Sequence, residues 1–362
     1  MNDFELTPEQ IASSSLLSYV GLHYPKYLAE PMHELIATAL EDVEAGKIRR
    51  LVISTPPQHG KCCDVDTNIL LADGTIQKAG DIKIGSALMS CKGLKIVPTT
   101  LVAKEYTEKD SLKITTKTGR EIIISKDHRM RIPDGYKKAK DLTFSDFLLT
   151  VNSEIEYTNK INENELHLIT YMIFGNTSNI ERRLPQQFFS MPLQQRWLFI
   201  DLMLQINGYF AQRTKSGWFI SANKKLIYDI QTLLSSCKII SSVYRKSDYT
   251  NDLWTLVIEK SQLKKIYEKC NLGAKRQYCK EIIGKEDDYK PEQHFKQAQN
   301  TDFIFDQVDK IEAVGKRKLV HLQTTGTHTF IANGLVSHNT FLASEFFPAW
   351  VLGRNPDWKI IA

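Results

Sequence analysis

No stretch of this chain stays apolar for the roughly 20 residues that a bilayer crossing requires, so no membrane partner is expected. Cysteine is scarce. The six cysteines, at positions 62, 63, 91, 237, 270 and 279, form no Cys-x-x-Cys pair and have no paired histidines, which argues against a zinc site or any other bound metal. A basic N-terminal signal is missing too: MNDFELTPEQ is acidic where a secretory leader would be positive, and the expectation is a cytoplasmic protein. Strong charge is absent as well. A formal net charge of +5 permits contact with nucleic acid without arguing for it. What remains is an ordinary globular mixture, 42% hydrophobic and 25% charged over 362 residues, enough for two or three domains.

The chain is organised around a motif cut short. Residues 54–61 read STPPQHGK, a phosphate-binding loop lacking the small hydroxyl residue that should follow the lysine to ligate Mg²⁺. Lys61 is followed instead by Cys62 and Cys63, and the missing hydroxyl stands at Thr340, after LVSHN. Joining Lys61 to Thr340 restores STPPQHGKTFLASEFFPAWVL, a loop, a GKT and a helix with a bulky apolar face. Upstream, Thr7-Pro8-Glu9-Gln10 is a helix start, residues 31–46 have helical apolar spacing, and residues 48–53 read as a buried strand feeding the loop. The pattern PPxxGK[ST] in this setting resembles the ATPase domain of phage terminase large subunits, although the first glycine of GxxxxGK[ST] is Thr55 here. That resemblance covers residues 1–61 and 340–362. It implies that Gly60, Lys61 and Thr340 hold ATP and Mg²⁺ once joined. It also implies phage DNA and packaging machinery as partners, inside an infected or lysogenic bacterial cell.

From Cys62 the texture becomes short β-rich segments broken by Gly and Asp, at residues 68–71, 82–85, 112–116 and 121–124, and it returns over residues 306–339. The opening CCDVDTNILLADG, the stretch GREIIISKDHRM at 119–130, HLQTTGTHTFIANG at 321–334 and LVSHN at 335–339 resemble, in order, the splicing blocks of inteins. The resemblance implies an all-β Hint fold, horseshoe-like, that excises residues 62–339 without an external cofactor, its own flanks (the exteins) being the substrate. Cys62 would attack the Lys61 carbonyl, since a thiol ionises usefully near neutral pH. Cys63 is expected to be a buried small hydrophobe. By resemblance His128 protonates the departing nitrogen and Ser125, standing where the family has Thr, helps stabilise the oxyanion. Asn339 cyclises with His328 and His338 assisting, and Thr340 is the second nucleophile. His321 stands where many inteins have Asp.

Residues 154–300 read as mixed α/β, with helices at 164–174, 193–204, 224–237 and 261–270, strands at 218–221 and 254–258, and a charged linker at 284–291. Position and size resemble a LAGLIDADG homing endonuclease, whose paired helices end in Mg²⁺-binding acids. The candidate helix ends, at residues 168–177 and 200–209, carry Asn176 and Asn207 instead, and a neutral amide is a poor substitute at Mg²⁺. Arg213, Lys215, Lys224, Lys225, Arg245 and Lys246 are candidate contacts to DNA phosphates. The expected architecture is therefore mixed. A Hint domain at 62–153 and 301–339 is split by a degenerate endonuclease-like insert at 154–300 and flanked by fragments of a P-loop α/β ATPase at 1–61 and 340–362. The alternatives are a DNA-cutting enzyme and a cleavage-only or inactive relic.

Overall fold

The computed structural model describes residues 7–23, 31–49, 51, 62–175, 183–247, 252–284, 295–296, 300–338 and 351. The chain divides into two compact units, residues 1–59 with 340–362 and residues 60–339. In the first, three helices are described: α1 (Pro8–Ser14), α2 (Leu16–His23) and α3 (Pro31–Glu44). Thr7 starts α1 with a reciprocal cap, its hydroxyl accepting from the Gln10 N–H while the Gln10 side chain accepts from the Thr7 N–H. Leu16, Val20, Ala37, Leu40 and Val351 are its buried core. The strand expected at 48–53 does not form at the described residues Ile48, Arg49 and Leu51. The chain leaves α3 through Gly46 at φ +74°, and the N–H groups of Lys47 and Ile48 both turn back to the Asp42 carbonyl, at 2.9 and 3.0 Å. A helix-capping turn has won over extended pairing. Gly60, Lys61, Asn176, Asn339 and Thr340 lie outside the described residues, as does most of the linker.

The second unit opens with β1 (Cys62–Asp64), β2 (Asn68–Leu70), β3 (Ile76–Lys78), β4 (Ala87–Lys92) and β5 (Lys95–Thr116). There follow β6 (Glu121–Ser125), β7 (Arg129–Ile132), β8 (Gly135–Lys138) and β9 (Phe147–Val151). Residues 82–85, expected as strand, form instead a turn into β4, with Gly85 at φ +90°. Ile82 is buried and Ile84 exposed there, an anchor and a tip rather than a paired edge. The β5 strand runs far longer than residues 112–116 suggested.

Beyond β9 come α4 (Glu163–Phe174), α5 (Leu193–Asn207), β10 (Tyr209–Ala211), β11 (Ser216–Ser221) and α6 (Lys224–Ser235). Then follow β12 (Ser242–Ser247), β13 (Asp252–Glu259), α7 (Lys260–Lys269) and α8 (Arg276–Gly284). The last strands are β14 (Phe295–Lys296), β15 (Phe303–Thr324), β16 (Thr329–Ala332) and β17 (Leu335–His338). Two 22-residue strands, β5 and β15, form an antiparallel ribbon with irregular register at Val308/Lys310, Ala313/Gly315 and Gln323/Thr324. Such irregularities let long strands bend. The path β15–β1–β6–β5 closes, because β5 pairs again with β15.

Helices α4–α8 and the separate antiparallel sheet β10-β11-β13-β12 form an insert whose apolar core also takes in Ile76 and Leu70 of the β fold. It leaves the β fold after Val151 and returns at Phe303, which are direct ladder partners. An excursion whose ends meet leaves the host pairing intact. From α5 the order is helix–strand–strand–helix–strand–strand–helix, whereas α4 is followed by no strand pair of its own. The seam is polar and specific. The turn between β5 and β6 offers the Thr118 carbonyl to the Val243 N–H at 2.9 Å and to the Gln231 amide at 2.8 Å, and the Gly119 carbonyl to the Tyr228 hydroxyl at 2.7 Å. Gly119 sits at φ +82°, and a Cβ there would lie 2.3 Å from the Val243 carbonyl oxygen, so only glycine closes this contact.

Candidate functional site

Strand β1 lies between β15 and β6, and its register decides which cysteine faces what. Cys62 is opposite His321, while Cys63 is opposite Val320 and Ile124. Antiparallel partners share a face of the sheet and successive residues alternate. Cys63 therefore enters the apolar core with Val320 and Ile124, and burial pushes its thiol up to about 12. Cys62 occupies the other face, beside half-buried His321. Two adjacent thiols, both buried, are thus set on opposite faces of the sheet by the pleat.

Strand β6 ends at Ser125, whose Oγ is 3.5 Å from the backbone N–H of Cys62 and accepts from it. A tight turn follows, with the His128 N–H donating to the Ser125 carbonyl at 3.0 Å, and it carries His128 into the interior at 0% exposure. There His128 Nε2 lies 3.0 Å from the Ser337 hydroxyl on β17. Ser337 is opposite Met130, because β17 packs against β7. Three contacts in series therefore connect Cys62, at the start of the unit, to Ser337 at its end.

The same end holds His338, buried, its ring 4.3 Å edge-to-face from Tyr136. His338 is paired with Thr329, the residue after His328. His328 is buried at φ +51°, in the left-handed region where a residue of its bulk is uncommon. Such a conformation costs on the order of 1–3 kcal/mol and persists where surrounding structure imposes it. Of the sequence-derived residues, Cys62, Ser125 and His321 gather around β1, while His128, His328 and His338 gather around β16 and β17. Ser337 and Tyr136 were not singled out from sequence. Their contacts depend on β17 meeting β7 and β8 across more than 200 residues, which no local pattern encodes.

The insert is arranged differently. Asn207 ends α5, and the ammonium of Lys275 donates to the Leu204 and Gly208 carbonyls at 3.0 and 2.7 Å. A cation of the chain itself caps that helix end, and burial lowers its pKa. Among the described residues no three His, Cys, Asp or Glu side chains are grouped to hold a metal ion. Lys224, a candidate DNA contact, instead pairs with Glu121 at 2.8 Å and lies over the Trp254 ring at 4.6 Å, facing the seam. Arg213, Arg245 and Lys246 remain exposed. No helix among the described residues is long and apolar enough to cross a membrane.

A family model described as the intein splicing domain matches residues 69–339. Similar solved structures include a DnaB intein from Synechocystis sp. PCC 6803, at 11% identity over 77% of this chain and 99% of that one, with TM-score 0.35. The DnaX mini intein from Spirulina platensis is similar at 11% identity over 77% and 100%, with TM-score 0.33. Over 116 residues the chain is 31% identical to DNA-directed RNA polymerase III subunit rpc2 of Dictyostelium discoideum, spanning 29% of this chain but 7% of that protein.

Proposed function

The chain belongs to the intein splicing domain family, and from that membership we propose that it excises residues 62–339 and joins Lys61 to Thr340. The observation that carries this reading is the series Cys62 N–H to Ser125, Ser125 to His128 and His128 to Ser337, which ties the two ends of the excised segment to each other. In the first step the Cys62 sulfur attacks the Lys61 carbonyl carbon. The bond to the Cys62 nitrogen breaks, the thiol proton passes to that nitrogen, and a thioester results. Ser125 Oγ accepts from the Cys62 N–H that would depart, and His128, whose own N–H donates to the Ser125 carbonyl, would supply the proton. In the second step the Thr340 hydroxyl takes the acyl group and frees the Cys62 thiol. The Asn339 carboxamide nitrogen then attacks its own carbonyl carbon, closing a succinimide and releasing the Thr340 amine, with His338 and His328 assisting. That amine attacks the ester to give the Lys61–Thr340 amide. Holding the groups in one fold makes each attack local, with effective molarities that reach about 10⁵ M.

The flanks are proposed to be pieces of a terminase-type ATPase. Ligation then completes GKT, and Gly60, Lys61 and Thr340 would hold ATP phosphates and Mg²⁺. The insert is proposed as an endonuclease-like module whose cutting chemistry is lost, supported by Asn207 and by the Lys275 cap beside it. Glu-C digestion with tandem mass spectrometry tests the ligation. The peptide AGKIRRLVISTPPQHGKTFLASE is expected. Finding the two flanks only as separate peptides would replace splicing with cleavage alone.

A further inference from the structure

One cavity, of about 210 Å³, lies within the second unit where the insert meets the β fold. A dry cavity of about 150 Å³ already accepts benzene, so the space suits a single ring or a short branched chain. Its walls are apolar at Leu70, Ile76, Val151, Phe189 and Ile331. Its charged groups are unbalanced: Arg120, Arg183, Lys224 and Lys225 against Glu121 and Asp229. Two of these cations are committed. Arg183 makes a two-point bond to Asp229 at 2.6 and 2.7 Å, and Lys224 pairs with Glu121 at 2.8 Å.

Arg120 is not neutralised in that way. It is 4% exposed, and its guanidinium donates to neutral oxygens, the Asn333 carbonyl at 3.3 Å and the Ser235 hydroxyl. Among the described residues no carboxylate is within ion-pairing distance of it. The buried acid Asp306 attracts it electrostatically but makes no ion-pair contact with it. A buried cation without a direct counter-charge is costly, and burial lowers Arg120 to about 10. Three of its five N–H bonds are left for another acceptor. Lys225, exposed at the mouth, adds a second uncommitted positive charge.

We propose that this seam cavity is a binding site for a small monoanionic carboxylate with an apolar body, its carboxylate on Arg120 and its ring or branched chain against Leu70, Ile76 and Phe189. A single buried cation matches one negative charge, whereas a dianion would bring a second charge into an apolar pocket without a buried partner. The ligand would touch Glu121, which opens β6, and Asn333 and Gly334, which join β16 to β17. It would sit at the far ends of the strands that carry Ser125 and His338. The site is independent of the splicing reading.

The test is calorimetric titration of the full chain carrying Cys62→Ala and Asn339→Ala, which removes both cleavage chemistries, with sodium phenylacetate, phenylacetamide and acetate as probes. Phenylacetate is expected to bind saturably with Kd on the order of 0.1–1 mM. The neutral amide and ringless acetate should each bind at least about tenfold more weakly, the loss of one charge-assisted contact. Thr232→Phe, which fills the cavity from α6 at the loss of one hydroxyl bond to the Tyr228 carbonyl, should abolish binding. Lys225→Glu, at an exposed position, should weaken it with folding unchanged. Equal binding of acid and amide, no binding of phenylacetate, or binding unaffected by both substitutions would each overturn the proposal.

Discussion

The β fold and its insert dispose of polar groups in opposite ways. In the β fold, Ser125, His128, Ser337 and His338 are buried at strand ends and contact one another or an aromatic ring. In the insert, polar groups are consumed by structure: Asn162 and Asn223 cap α4 and α6, Lys275 caps α5, and Asp229 inside α6 accepts a two-point bond from Arg183. Buried polar side chains that meet side chains from distant strands carry chemistry at a stability cost. Those that close the nearest backbone ends mostly hold a fold. On the proposed reading, the difference separates a region with a reactive arrangement from one whose polar groups serve its packing.

That contrast can be broken most forcefully at His128. His128→Ala is expected to slow splicing by about 10²–10⁴-fold, read as product appearance by mass spectrometry, and an unchanged rate would place the proton transfer elsewhere. Next comes Ser125. Removing its hydroxyl in Ser125→Ala should cost about 10²-fold, the scale of one lost oxyanion donor, with Ser125→Thr restoring most of the rate. On the insert side, Lys275→Met should leave splicing unchanged and lower stability by about 1 kcal/mol, the upper range for a helix-end cation, in urea unfolding. A splicing defect there would dissolve the contrast.

The smallest effect concerns pH. Burial raises Asp306 to about 6, so the folded state prefers the protonated acid. Its stabilising contribution is present below the ordinary carboxylate pKa near 4 and is lost as pH rises through about 6. The unfolding midpoint of the wild type relative to Asp306→Asn should therefore fall between pH 4.5 and 7.5. An identical gap at both pH values would show that Asp306 is ionised throughout.

Much of the fold could be read where a single local rule decides. The Thr7 cap, the α4 and α6 spans and the β6 strand follow from capping, periodicity and β-branched runs. The long ribbon could not. Only residues 112–116 of β5 have a clear β texture, because its middle is exposed and charged and depends on β15 for pairing. At the site, the blocks pointed to Cys62, Ser125 and His128, and the register adds the physical reason Cys63 differs from its neighbour. Ser337, Tyr136 and Arg120 were invisible, since each owes its environment to a strand or helix more than 100 residues away.

The most direct measurement is the intact mass of the expressed chain over time, with and without reductant, beside a Cys62→Ala/Asn339→Ala double variant. Splicing predicts a free 62–339 segment and a ligated product of both flanks, each absent from the double variant. A single stable full-length mass from the unaltered chain under every condition would contradict it, and His321, opposite Cys62, would be the first position to change.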